Sequence, residues 1–158
     1  MPTAMPTAVS LDIRKMTDDP AARRFIHQVR KIARKHRVDV RFSPGRYVIC
    51  QWDGDRTWGY FDLPDRRNRG QIRVCAGHSE AMTLHTLAHE FAHFLFWRFR
   101  NTRQPGRTYY EQEVHAETLA IRLLEDAGVD GRTLRKIRNE AGKYLHRVKN
   151  DLPEPEIN

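Results

Sequence analysis

The run from Met82 to Phe99 constrains this chain more than any other segment. It holds no Pro or Gly, so nothing in it interrupts a helix. Leu84, Leu87, Ala88, Phe91, Ala92, Phe94, Leu95, Phe96 and Trp97 make that helix apolar nearly all round. Such a helix belongs in the middle of a domain, with other elements packed on several sides. Ser79 is its expected N-cap. Polar groups inside such a run are costly unless they are used. Three of them form His89-Glu90-Phe91-Ala92-His93.

The rest of the chain reads as elements that could surround this helix. Asp18 or Asp19 caps a first helix, with Pro20 in its first turn and an end near His36. Ala22, Phe25, Ile26, Val29, Ile32 and Ala33 are its apolar stripe, and Arg23, Arg24, Arg30, Lys31, Arg34 and Lys35 fill the other face. Val38–Phe42, Arg46–Trp52, Thr57–Asp62 and Gln71–Val74 read as short strands, expected to be antiparallel, with Asp53-Gly54 as a hairpin turn. After a loop over Asn101–Arg107, Thr108-x-x-Glu111 matches a capping box. The helix it opens should run to about Ala127 and stop at Gly128. A last helix carries Leu134, Ile137, Ala141, Leu145 and Val148 on one stripe, and Arg135, Lys136, Arg138, Lys143 and Arg147 opposite. The expected fold is α+β: an N-terminal helix, a small antiparallel sheet, a buried central helix and two further helices. A leader over residues 1–17, a single domain over 18–150 and a tail over 151–158 are the expected divisions of the 158 residues.

His89 and His93 stand four apart, so their imidazoles lie one above the other on one helix face. Two imidazoles so placed suit two positions on one Zn²⁺. A catalytic zinc takes three protein ligands and keeps one position open. The third comes from elsewhere, because Phe96 and Phe99 stand where an extended motif has Gly and His. The Thr108–Ala127 helix offers Glu111, Glu113, His115 and Glu117. Stepping about 100° per residue places Glu113 and Glu117 on the buried face with Ala116, Ala120 and Leu124. Glu111 and His115 point outward. Two inward carboxylates need a compensating charge, which a metal ion supplies. Glu113 is the expected third ligand, with Glu117 accepting a hydrogen bond from a ligand imidazole. The reverse assignment is the alternative. Tyr109, Tyr110 and His85 are candidates for stabilising a transition state.

Thr86-Leu87-Ala88-His89-Glu90-Phe91-Ala92-His93 resembles the active-site helix of zincin metallopeptidases. With Glu113 placed 20 residues after His93, the chain is similar to the gluzincin branch. Glu113-Val-His-Ala-Glu117-Thr-Leu-Ala120 resembles the second motif of small ImmA/IrrE-like zincin domains, also seen in ArdC-like antirestriction proteins. The resemblance covers roughly residues 70–125 and implies one zinc per chain, held by His89, His93 and Glu113. It implies a peptidase acting on a protein or peptide, with Glu90 as general base. The Gln71–Val74 strand, as a sheet edge, would align that peptide.

The net charge of +8 and pI of about 9.9 support a second reading. The basic helices and Arg66-Arg67-Asn68-Arg69 suit DNA or RNA, so the alternative is a basic nucleic-acid-binding or mobile-element regulatory protein whose zinc is structural or accessory. No apolar stretch approaches the ~20 residues that span a bilayer, so no membrane partner is expected. The N-terminus lacks a secretory pattern, and Cys50 and Cys75 read as buried thiols, so the expected compartment is cytoplasmic.

Overall fold

The computed structural model describes residues 16–50, 53–99 and 108–152. Residues 1–15 of the expected leader, the Asn101–Arg107 loop, Trp52 and residues 153–158 of the expected tail lie outside them. The expected leader ends too late. Thr17 is buried and its hydroxyl donates to the Glu80 carboxylate, while Met16 packs on the core.

Among the described residues, nine elements follow in order: α1 (Pro20–Lys35), β1 (Val38–Ser43), β2 (Val48–Ile49), β3 (Arg56–Thr57), β4 (Gly59–Asp62), β5 (Gly70–Cys75), α2 (Glu80–Arg98), α3 (Tyr109–Asp126) and α4 (Gly131–Lys149). The helix starts obey local capping chemistry. Asp19 accepts from the Ala21 N–H, Ser79 from Met82, Thr108 from Glu111 and Asp130 from Thr133. Thr108 and Glu111 complete the capping box. Arg37, at φ 62°, turns the chain between α1 and β1.

The sheet is mixed rather than antiparallel. Its order is β1-β5-β4, with β1 parallel to β5 and β4 antiparallel to it; β2 and β3 form a separate two-stranded ribbon. β5 is therefore the central strand, not an edge. The reason lies in burial. Gly70, Ile72, Val74 and Cys75 of β5 are all buried, the most thoroughly covered strand of the fold, so it takes the place with neighbours on both sides. Alternation along a strand tells which face is buried but not which strand lies alongside. The expected Arg46–Trp52 strand shrinks to Val48–Ile49. Cys50 and Cys75 are both buried and free.

Val38, Val40 and Phe42 of β1 join Ile72 and Val74 in one cluster with Phe25, Ile26 and Val29 of α1 and Leu84, Leu87 and Phe91 of α2. The central helix α2 touches α1, α3, α4, β4 and β5, the environment that an all-round apolar helix requires. No helix among the described residues is long and apolar enough to cross a membrane.

β4 crosses α2 at Gly59. A Cβ there would lie 2.5 Å from Thr86 Cγ2 and 2.8 Å from the Arg73 carbonyl oxygen. Gly59→Ala should therefore destabilise the fold by about 1–3 kcal/mol through overpacking, measured by urea denaturation against wild type.

Candidate metal centre

α2 and α3 pack side by side and carry the site. His89 and His93 project from α2, Glu113 and Glu117 from α3. His89 is 9% exposed, Glu113 4% and Glu117 2%. His89 Nε2 lies 3.1 Å from His93 Nε2 and 2.9 Å from Glu113 Oε2. Glu113 Oε1 lies 3.3 Å from His93 Nε2. The two imidazole nitrogens and the carboxylate oxygens converge on one point. Ligand atoms around a tetrahedral zinc, with bonds of ~2.0–2.1 Å, are roughly 3.3 Å apart. Two imidazole nitrogens and a carboxylate, drawn together in this way, fit such an ion. Among the described residues, His89, His93 and Glu113 form the group that could hold a metal.

Glu117, buried on the inward face of α3, sits beside this group. Its Oε2 lies 2.6 Å from His85 Nε2, and its Oε1 lies 2.8 Å from His89 Nδ1. The His85 contact is a hydrogen bond. The His89 contact is short but lies off the ring N–H direction, so it is a close charge contact rather than an aligned bond. One carboxylate thereby spans two imidazoles, and His85 belongs to the support of His89.

Electrostatics bind the cluster together. Burial alone would raise the Glu113 carboxyl, but His89 and His93 overcome it and hold that carboxyl well below the usual range. Burial likewise works against Glu117, yet His85 and His89 bring it down to about 2. Burial disfavours a charged His89, and the two carboxylates reverse this, so positive charge at His89 is favoured. The same field favours any cation between these groups. Glu90 differs: burial raises its carboxyl, against the opposing pull of His89 and His93. A carboxyl raised in this way holds a proton more readily than a solvated one.

These groups open on a cleft of about 980 Å³. Trp58, Gly59, Tyr60 and Phe61 line one side, α2 lines the base with His85, Thr86, His89, Glu90, His93 and Trp97, and α3 and α4 line the other. Tyr109 borders the cleft and is 65% exposed. Tyr110 does not line it; its ring faces Lys149 instead.

Tyr144 of α4 belongs to the site and went unread in the sequence. Its hydroxyl donates to Glu113 Oε2 at 2.9 Å, and its ring meets His89 edge-on at 5.5 Å between centroids. Burial, then the Glu113 charge and the Tyr109 hydroxyl, push the Tyr144 phenol far above its usual range, so it stays a donor. The signal was present: Tyr144 stands three residues after Ala141 and seven after Ile137, on the inward stripe of α4.

No family model, curated protein or solved structure matches this chain. The likeness to zincin motifs thus rests on the residues quoted from the sequence.

Glu117→Ala leaves two buried imidazoles without their shared partner. It should cost about 3 kcal/mol of stability, read from the denaturation midpoint at constant m-value.

Proposed function

We propose that this protein is a zinc-dependent hydrolase, acting as a peptidase on an extended polypeptide. The observation that carries the reading is the convergence of His89 Nε2, His93 Nε2 and the Glu113 carboxylate at 2.9–3.3 Å in the wall of an open cleft. A structural zinc has four protein ligands. Among the described residues the group holds three, and both Glu117 oxygens face His85 and His89. This favours a site with a position left for chemistry.

A zinc ion bound by His89, His93 and Glu113 would supply Lewis acidity, polarising a carbonyl and acidifying water. Glu90, whose carboxyl is raised by burial, takes the proton from the attacking water and passes it to the leaving amine. Glu117 sets its charge against His89, and Tyr144 holds Glu113 through a hydrogen bond. Among the described residues, β4 is the sheet edge that borders the cleft. Its open side offers backbone donors and acceptors to an extended peptide.

Elemental analysis is the direct test. Wild type should carry about one zinc per chain and His93→Ala almost none. Glu90→Gln should keep the zinc and lose at least about 100-fold in turnover of a casein substrate. Absence of zinc in the wild type after loading, or full activity in Glu90→Gln, overturns this reading.

A second activity has its own support. α1 carries Arg23, Arg24, Arg30, Lys31, Arg34 and Lys35 and no acidic residue. A helix so charged suits a phosphate backbone. Affinity for a DNA 20-mer should fall steeply between 50 and 200 mM salt. Lys31→Ala with Arg34→Ala and Lys35→Ala should flatten that slope, as measured by fluorescence anisotropy.

A further inference from the structure

The cleft contains a cation that the proposed chemistry does not use. Arg147 lies on α4 one turn beyond Tyr144 and lines the same cleft as the His89–His93–Glu113 group. Its Nε is buried and has no hydrogen-bond partner. No carboxylate among the described residues pairs with its guanidinium, although Glu113, Glu117 and Glu90 line the same space. Glu113 and Glu117 are turned toward the imidazoles and Tyr144 instead. Its Cζ lies 6.0 Å from the centroid of the Tyr144 ring, whose hydroxyl is fixed on Glu113. The other arginine lining the cleft, Arg56, lies over Tyr47 at 4.5 Å.

A buried donor without an acceptor is unusual in a folded protein, and it is the more notable on a guanidinium, which presents five donors in a planar fork. That fork matches a carboxylate, which it binds through two parallel hydrogen bonds. Tyr144 links this fork to the metal-binding group, so a substrate held by both would place its carboxylate close to the bond under attack. We propose that Arg147 is a specificity-determining residue that binds a substrate carboxylate, selecting peptides with a negative charge near the scissile bond. The carboxylate is either a free C-terminus or an Asp or Glu side chain. This inference rests on the zinc-hydrolase reading.

The test uses the zinc-loaded full chain and a series of alkyl hydroxamates, two to six methylenes long, each ending in a carboxylate or in the matching amide. Hydroxamate seeks the metal, and the far end probes Arg147. Binding is measured by isothermal titration. At the best length the carboxylate should bind about 10- to 100-fold more tightly than the amide, the range for a hydrogen bond to a charged group. Arg147→Gln should remove that difference, through a loss of affinity for the carboxylate much larger than any for the amide. Arg147→Lys, which keeps the charge and loses the fork, should retain part of it. Equal binding of acid and amide to wild type, at every length, overturns the role of Arg147 while leaving the metal reading intact. A difference that survives in Arg147→Gln overturns it as well. Failure of every hydroxamate to bind overturns the metal reading and this inference with it. Hexapeptides with a free or amidated C-terminus, and with Glu or Gln at each internal position, then identify the source. A preference for the free C-terminus marks a carboxypeptidase-type reader, and a preference for internal Glu marks an acid-directed endopeptidase. Indifference to both substitutions overturns the proposal.

Discussion

Burying Glu113 and Glu117 against α2 is the constraint on which the rest of the structure depends. Carboxylates this deep in a small domain are strongly disfavoured unless they meet positive charge and donors. His85, His89, His93 and Tyr144 supply them. Those four groups come from two helices, so α2, α3 and α4 must dock correctly for either carboxylate to be tolerated. The apolar packing of Leu84, Leu87, Phe91, Ala120, Leu124 and Ile137 brings the helices together, and the polar cluster fixes how they sit.

The cluster has a graded polarity. Glu117 and Glu113 are held ionised by the imidazoles, whereas Glu90, on the same helix as both histidines, is pushed toward its neutral form by burial. Carboxylates of the same intrinsic acidity thus divide between two held in the charged form and one pushed toward the neutral form. That division follows from what each one touches.

Much of this was legible in the chain itself, because the relevant rules are local. The caps at Asp19, Ser79 and Thr108, the extent of α1, and the inward direction of Glu113 and Glu117 all follow from spacing along one helix. Features that require two elements to meet were not legible. The parallel pairing of β1 with β5 depends on which strand wins the central place, and alternation does not record that. Tyr144 looked like one more residue on a basic helix, although its offset from Ile137 and Ala141 placed it on the inner stripe. Tyr110, adjacent to a residue that does line the cleft, points elsewhere, because neighbours on a helix diverge by about 100°. The early packing of Met16 and Thr17 was hidden for the same reason: the partner of Thr17 is Glu80, far along the sequence.

The close crossing at Gly59 acts as a spacer of fixed thickness. β4 contributes no side chain there, so the strand meets α2 at the limit set by the Thr86 side chain. A side chain in that gap could adopt several rotamers, and each would set a different separation. Its absence leaves one. The strand on one side of the cleft and the helix bearing Glu90 at its base therefore keep a constant offset.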